Sequence, residues 1–294
     1  MTNVDPYHSH DVTELFRLPT VFAGDTLADQ VVVVTGAAGG IGSAITVLAA
    51  RLGARLVICG RRTEPLDALA AELRDAGTEC IVVQASVRDP EAVASVVDAA
   101  WDRFGRLDVV VNNAGGQFSS PALDISPKGW HAVVETNLYG TWFVMQAAAR
   151  RWADQGDVPP AGQQRCIVNI ATVTGRGGGG IAHTAAARGG AINLTRYLAA
   201  EWAPLRVRIN AVAVGVVASE GLQTYPDAAR ASFGHNPMRR LGDTWDIAQG
   251  TAYLASAAAG FVTGTTLEVD GGEHVWGEYW PLGRPEWFEG RAYP

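Results

Sequence analysis

This sequence predicts a doubly wound α/β fold, a seven-stranded, mostly parallel sheet with helices on both faces. Three observations lead there. Residues 31–42 read VVVVTGAAGGIG, four valines, a glycine-rich turn and the start of an amphipathic stretch. Strand-like and helix-like segments then alternate as far as residue 270, the pattern of a parallel sheet with crossover helices. The 294 residues are 48% hydrophobic and 18% charged, which suits one domain with a substantial core and excludes a disordered chain.

Residues 1–29 carry no strong period and read as an N-terminal extension. The valines make strand 30–35, buried on both faces, and the run from Ile41 to Leu52 makes helix 40–53. Gly36, Gly39, Gly40 and Gly42 lie between or just inside them. A turn without Cβ atoms can pass close to a pyrophosphate, and a helix N-terminus offers it free N–H groups. A tight βα turn with no ligand is the alternative. Further strands are expected at 55–59, 80–85, 108–112, 165–171, 206–213 and 266–270. Helices are expected at 63–77, 89–105, 127–154, 183–203 and 244–258, the third of these opening with Ser126 as N-cap and Pro127 in the first turn. Residues 30–272 thus form one Rossmann-type domain, with ligands at the carboxyl ends of its strands. Residues 273–294 hold Trp276, Tyr279, Trp280, Trp287, Phe288 and Tyr293. So aromatic an extension is expected to pack on its own domain or on a neighbouring subunit.

Several functions are excluded. A net charge of −7 offers nothing that suggests a nucleic-acid partner. No apolar run reaches membrane-spanning length, and the first twenty residues lack the pattern of a secretory signal. Cys59, Cys80 and Cys166 all fall in expected strands, at spacings that suit neither zinc nor a disulfide framework. Buried thiols in a cytoplasmic protein, with no metal site, are the expectation.

The chain resembles the short-chain dehydrogenase/reductase family over about residues 27–272. Thr35-Gly36-Ala37-Ala38-Gly39-Gly40-Ile41-Gly42 looks like the family's cofactor loop. Asn112-Asn113-Ala114-Gly115 follows the fourth strand, where the family supports the adenosine side. Asn137, in Thr136-Asn137-Leu138, matches the Asn that bends the central helix and holds a water in the proton relay. Val269-Asp270-Gly271-Gly272 matches the closing strand. The resemblance implies cofactor contacts from Gly36, Gly39, Gly40, Ile41, Gly42, Ser86, Val87, Asn113, Ala114, Gly115, Arg188, Gly215, Val217 and Ser219. It also implies a homotetramer built through helices 127–154 and 183–203 and the last strand.

The second strand ends Ile58-Cys59-Gly60-Arg61-Arg62, with no acid before Glu64. An acid at this place holds the ribose 2′-hydroxyl of NAD, whereas an arginine accommodates the 2′-phosphate of NADP. Arg61 and Arg62 therefore point to NADP(H), the alternative being a solvated basic turn.

At the catalytic centre the chain departs from its family. Aligned through Asn193-Leu194-Thr195, Thr184 stands at the place of the usual Tyr, Arg188 at that of the Lys, and Thr172 at that of the Ser. A Thr hydroxyl is far too weak an acid to replace the phenol. Residues 114–121, His183 to Gly190, Leu198 to Trp202 and Ser219 to Leu222 resemble 2,4-dienoyl-CoA reductases, a branch that tolerates Thr or Ser at the Tyr position. That branch reduces a conjugated double bond of a CoA thioester with NADPH, a reaction that needs oxyanion stabilisation more than a strong acid. Its loop Tyr falls near Val173 here, and its central-helix Asn falls at Tyr139. Tyr139 is accordingly a candidate phenol, or else a packing residue. Asn137 and Thr172 are further oxyanion donors, and His183 is a titratable neighbour of Thr184 or a packed helix-start histidine. The expected activity is an NADP(H)-dependent reductase of an enoyl- or dienoyl-CoA thioester. The alternatives are a ketone or alcohol oxidoreductase on a bulky apolar metabolite, and a non-redox cyclase, isomerase or binding protein of the same fold.

Overall fold

The computed structural model describes residues 7–156, 159, 164–175, 179–224 and 236–275. Nine strands appear among them, in the order β1 (Val31–Thr35), β2 (Arg55–Gly60), β3 (Cys80–Gln84), β4 (Val109–Asn112), β5 (Arg165–Thr172), β6 (Val207–Val214), β7 (Val217–Ala218), β8 (Gly242–Asp243) and β9 (Thr266–Val269). The α-helices are α1 (Val12–Leu15), α2 (Ile41–Arg51), α3 (Thr63–Asp75), α4 (Pro90–Phe104), α5 (Pro127–Val134), α6 (Gly140–Asp154), α7 (Ala182–Glu201) and α8 (Thr244–Ala255). Seven strands form one sheet in the order β3-β2-β1-β4-β5-β6-β9, and every neighbouring pair is parallel. The two-residue strands β7 and β8 pair separately.

The four valines behave as an interior strand must. Val32 and Val34 enter a core with Leu48 of α2, Leu69 of α3 and Ile247 of α8. Val31 and Val33 enter the opposite core with Val97 of α4, Met145 of α6 and Leu198 of α7. Each fully buried valine contributes on the order of 1.5–3 kcal/mol, so β1 carries no polar side chain before Thr35. Cys59, Cys80 and Cys166 are buried free thiols in β2, β3 and β5, and burial pushes them up to about 12, about 11 and about 11.

One expected helix differs. Residues 127–154 form α5 and α6, joined by a π-helical turn, Glu135–Tyr139. The cause is Asn137, whose Nδ2 donates to the Val133 carbonyl at 3.0 Å. That carbonyl would otherwise take a backbone N–H from within the helix, so the turn widens.

The extension before β1 is docked rather than free. Leu15 and Leu27 are buried in the core beside α2. Arg51 donates to the carbonyls of Leu15 and Leu18, at 3.0 and 2.7 Å, and Trp245 Nε1 donates to that of Pro19 at 2.8 Å. The aromatic segment from Trp276 to Tyr293 lies outside the described residues.

Candidate cofactor and active-site cleft

Strand order reverses between β1 and β4, and in doubly wound sheets the crevice for ligands opens there, at the carboxyl ends. Thr35 ends β1 with a buried hydroxyl that accepts the N–H groups of Asn113 and Ala114, at 3.1 and 3.0 Å. Asn113 returns the contact, its Nδ2 donating to the carbonyls of Thr35 and Gly36, both at 3.0 Å. The glycine turn is thereby stapled to the end of β4. Gly36 has φ +62°, and a Cβ there would stand 2.9 Å from Ala114 Cα, so only glycine fits. The turn leads into α2, whose N-cap Gly40 offers no side-chain cap. Gly42 N already donates to the Gly39 carbonyl at 2.7 Å and Ala44 N to that of Gly40 at 3.2 Å, which leaves the N–H groups of Ile41 and Ser43 as the ones suited to an anion.

A pocket of about 170 Å³ lies beside this turn. Gly36, Gly39, Arg61, Arg62, Ser86, Val87, Ala114 and Gly115, all named as cofactor contacts from the sequence, line it. Arg88 lines it too and was missed, although it directly follows Ser86 and Val87. Its guanidinium is already engaged, donating to Thr136 Oγ1, also on this pocket's wall, and to the Ala132 carbonyl, both at 2.6 Å. Arg61 and Arg62 are exposed and form no ion pair among the described residues. The pocket has three arginines and no carboxylate on its wall.

Gly115 is shared with a larger cleft of about 800 Å³. Ile41, Asn113, Gly215, Val217 and Ser219 line this cleft, as do Asn137, Thr172, Thr184 and Arg188. Gln117, Ser119 and Glu273 join them and were not anticipated. Gly40 and Gly42 line neither space. They shape the start of α2, and a side chain at Gly40 would stand 3.2 Å from Ser219 Cβ.

Helix α7 is positioned by a buried polar chain. Asn112 Nδ2 donates to Asn169 Oδ1 at 2.8 Å, and Asn169 Nδ2 donates to Thr195 Oγ1 at 2.9 Å. This fixes α7 against β5, and Thr184 and Arg188, two to three turns earlier on the same buried stripe, face the cleft. The Arg188 guanidinium donates to the Ile170 carbonyl and fills the space that a side chain at Gly115 would need. It is 8% exposed and forms no ion pair among the described residues. Burial pulls its pKa down to about 10, so it remains a cation at neutral pH.

The other candidates are more committed than the sequence suggested. Both Nδ2 donors of Asn137 are spent, on the carbonyls of Gly116 (2.8 Å) and Val133, while its Oδ1 accepts Gly116 N. Thr172 Oγ1 donates to the Val214 carbonyl at 3.2 Å. Two candidates do not reach the cleft. Tyr139 is 49% exposed on the outer side of the π turn, near Phe143, because the π turn directs Asn137 inward and the residue two later outward. His183 is fully buried behind Thr184, edge-on to Phe118. Its Nδ1 accepts Thr184 N at 2.7 Å, and burial lowers its pKa. Both its burial and this backbone bond suit a packing role at the start of α7.

A glycine cradle under an uncapped helix, joined to a polar cleft at the switch point of a parallel sheet, is the arrangement of a dinucleotide-binding site. Residues 36–274 match the family described as enoyl-(acyl carrier protein) reductase. The chain belongs to the short-chain dehydrogenase/reductase family, whose members take a nicotinamide cofactor. It is 36% identical over 250 residues to a probable 2,4-dienoyl-CoA reductase of Bacillus subtilis, covering 83% of this chain and 96% of that one. It is 37% identical over 252 residues to cis-4-hydroxycyclohexanecarboxylate dehydrogenase of Sinomonas cyclohexanicum, covering 85% and 98%. Among solved structures, the citronellol catabolism dehydrogenase of Pseudomonas aeruginosa superposes with a TM-score of 0.75 at 33% identity, covering 87% of this chain and 99% of that one. No helix among the described residues is long and apolar enough to cross a membrane.

Proposed function

We propose that this chain is an NADP(H)-dependent reductase of a conjugated carbon–carbon double bond, acting on an enoyl- or dienoyl-CoA thioester. The observation that carries this reading is the composition of the cleft. It presents a buried, unpaired cation, Arg188, and a threonine hydroxyl, Thr184, and no phenol among its described lining residues. A site so equipped stabilises an enolate oxygen better than it protonates an alkoxide. A bound nicotinamide supplies hydride to the far end of the conjugated system. Arg61 and Arg62 hold the 2′-phosphate, helped by the absence of any acid on that wall. Arg188 serves both the nicotinamide ribose and the developing oxyanion, because a guanidinium has five donors and Ile170 takes one. Asn137 acts by fixing Gly116 and hence the cleft wall. A ketone or alcohol of a bulky apolar metabolite is the second reading, favoured by the similarity to the hydroxycyclohexanecarboxylate dehydrogenase. We also propose a homotetramer through α5–α6 and α7, supported by Tyr139 and Tyr197, aromatic and exposed on those helices.

The test is incubation with NADPH and a panel of enoyl-CoA, dienoyl-CoA and ketone substrates, followed at the nicotinamide absorbance. Consumption with the conjugated thioesters is expected. Consumption with ketones alone selects the second reading, and consumption with none refutes both.

A further inference from the structure

The N-terminal extension carries a group of side chains that the cleft does not use. His8, His10 and Glu14 each bring one donor atom within 4.8 Å of the other two. His8 Nε2 lies 3.0 Å from Glu14 Oε2, and His10 Nδ1 lies 3.6 Å from the same oxygen. Two donors on one tetrahedral zinc ion, at about 2.05 Å each, stand about 3.3 Å apart. The observed separations bracket that value.

The state of His10 is the second, independent observation. Its Nδ1 is buried and has no hydrogen-bond partner, a condition that native structures avoid unless a water or ion completes it. Its other nitrogen is already oriented, with Nε2 2.6 Å from Asp243 Oδ2. A carboxylate behind a histidine fixes the ring's tautomer and strengthens the front nitrogen as a ligand. Asp243 is rigid in turn, because it caps α8 by accepting Trp245 N at 2.9 Å. Glu14 is also set in place, accepting Asp11 N at 2.9 Å in the capping box of α1.

We propose that His8 Nε2, His10 Nδ1 and the Glu14 carboxylate bind a divalent first-row transition cation, with Asp243 orienting His10. Two imidazoles and one carboxylate suit zinc. His8 and Glu14 are half exposed, so water completes the coordination. The site lies away from the cofactor cleft, yet it bears on it. Asp243 pairs with Ala218 in the small β7–β8 ribbon, between Val217 and Ser219, which line the cleft. The cation ties the N-terminal extension to that rim across 233 residues of sequence.

Zinc titrated calorimetrically into the full chain, after treatment with a chelator, tests this. One saturable equivalent should bind and raise the unfolding temperature. His8→Ala, and His8→Ala with Glu14→Gln, should lose the equivalent while unfolding at the parent's temperature in the absence of zinc. Asp243→Asn keeps a good helix cap and should weaken binding about 10- to 100-fold. A parent that takes up no saturable zinc overturns the proposal. So does an equivalent that both His8 variants retain, since the ion is then bound elsewhere. Parental affinity in Asp243→Asn removes Asp243 from the site.

Discussion

Replacing Arg188 with methionine distinguishes a charge held for chemistry from one held for packing. The guanidinium is buried and forms no ion pair among the described residues, and burial has drawn its pKa to about 10. Each pKa unit is worth about 1.4 kcal/mol, so holding the charge here costs the fold on the order of 3 kcal/mol. Against that stands the hydrogen bond to the Ile170 carbonyl, worth about 1.5–3 kcal/mol from a charged donor. Methionine removes both terms at similar length, and they nearly cancel. Urea unfolding of Arg188→Met should therefore fall within about 1.5 kcal/mol of the parent. Turnover has no such compensation. Loss of a donor to the developing oxyanion should lower kcat about 10²- to 10³-fold at saturating NADPH. The pH dependence gives a second readout. The folded pKa is depressed, so the stability cost is fully present below about pH 10 and is relieved as pH rises through it. Turnover needs the charge and falls over the same window, and both trends should vanish in the variant. A loss of more than about 3 kcal/mol with unchanged kcat would make Arg188 a strut between α7 and β5 and refute this assignment.

The remaining expectations are simpler. Arg61→Ala or Arg62→Ala should weaken NADPH by about 1.5–3 kcal/mol and leave NADH unchanged in calorimetric titration, and equal losses for both cofactors would remove the 2′-phosphate contact. Tyr139→Phe should turn over at the parental rate, since the ring lies on the outer surface, and a large fall in kcat would return the phenol to the mechanism. Thr35→Val strips the acceptor from two backbone N–H groups and should destabilise the fold by about 1–3 kcal/mol in urea, with NADPH binding weakened by the loosened glycine turn.

Much of this molecule is determined locally. Four valines in succession can only be a strand buried on both faces, and the glycines after Thr35 make the one turn that lets β1 pass so close to Ala114. The pairing of Arg61 and Arg62 with a wall free of acid follows from where β2 ends, which hydrophobic periodicity sets. Thr184 and Arg188 were legible as neighbours because both lie on the stripe of α7 that Thr195 fixes.

What the sequence could not decide is the direction and occupancy of each donor, because these depend on partners far along the chain. Asn137 looked available until its amide was found spent on Gly116 and Val133, and the resulting π turn carried Tyr139 out of the cleft. His183 differs from a catalytic histidine only in what packs against it, here Phe118 and the Thr184 backbone. His8, His10 and Glu14 carry a visible His-x-His-x₃-Glu spacing, but the carboxylate that orients His10 arrives from residue 243. Local pattern fixes which backbone a segment adopts. Only tertiary packing fixes which polar atoms are left over for chemistry.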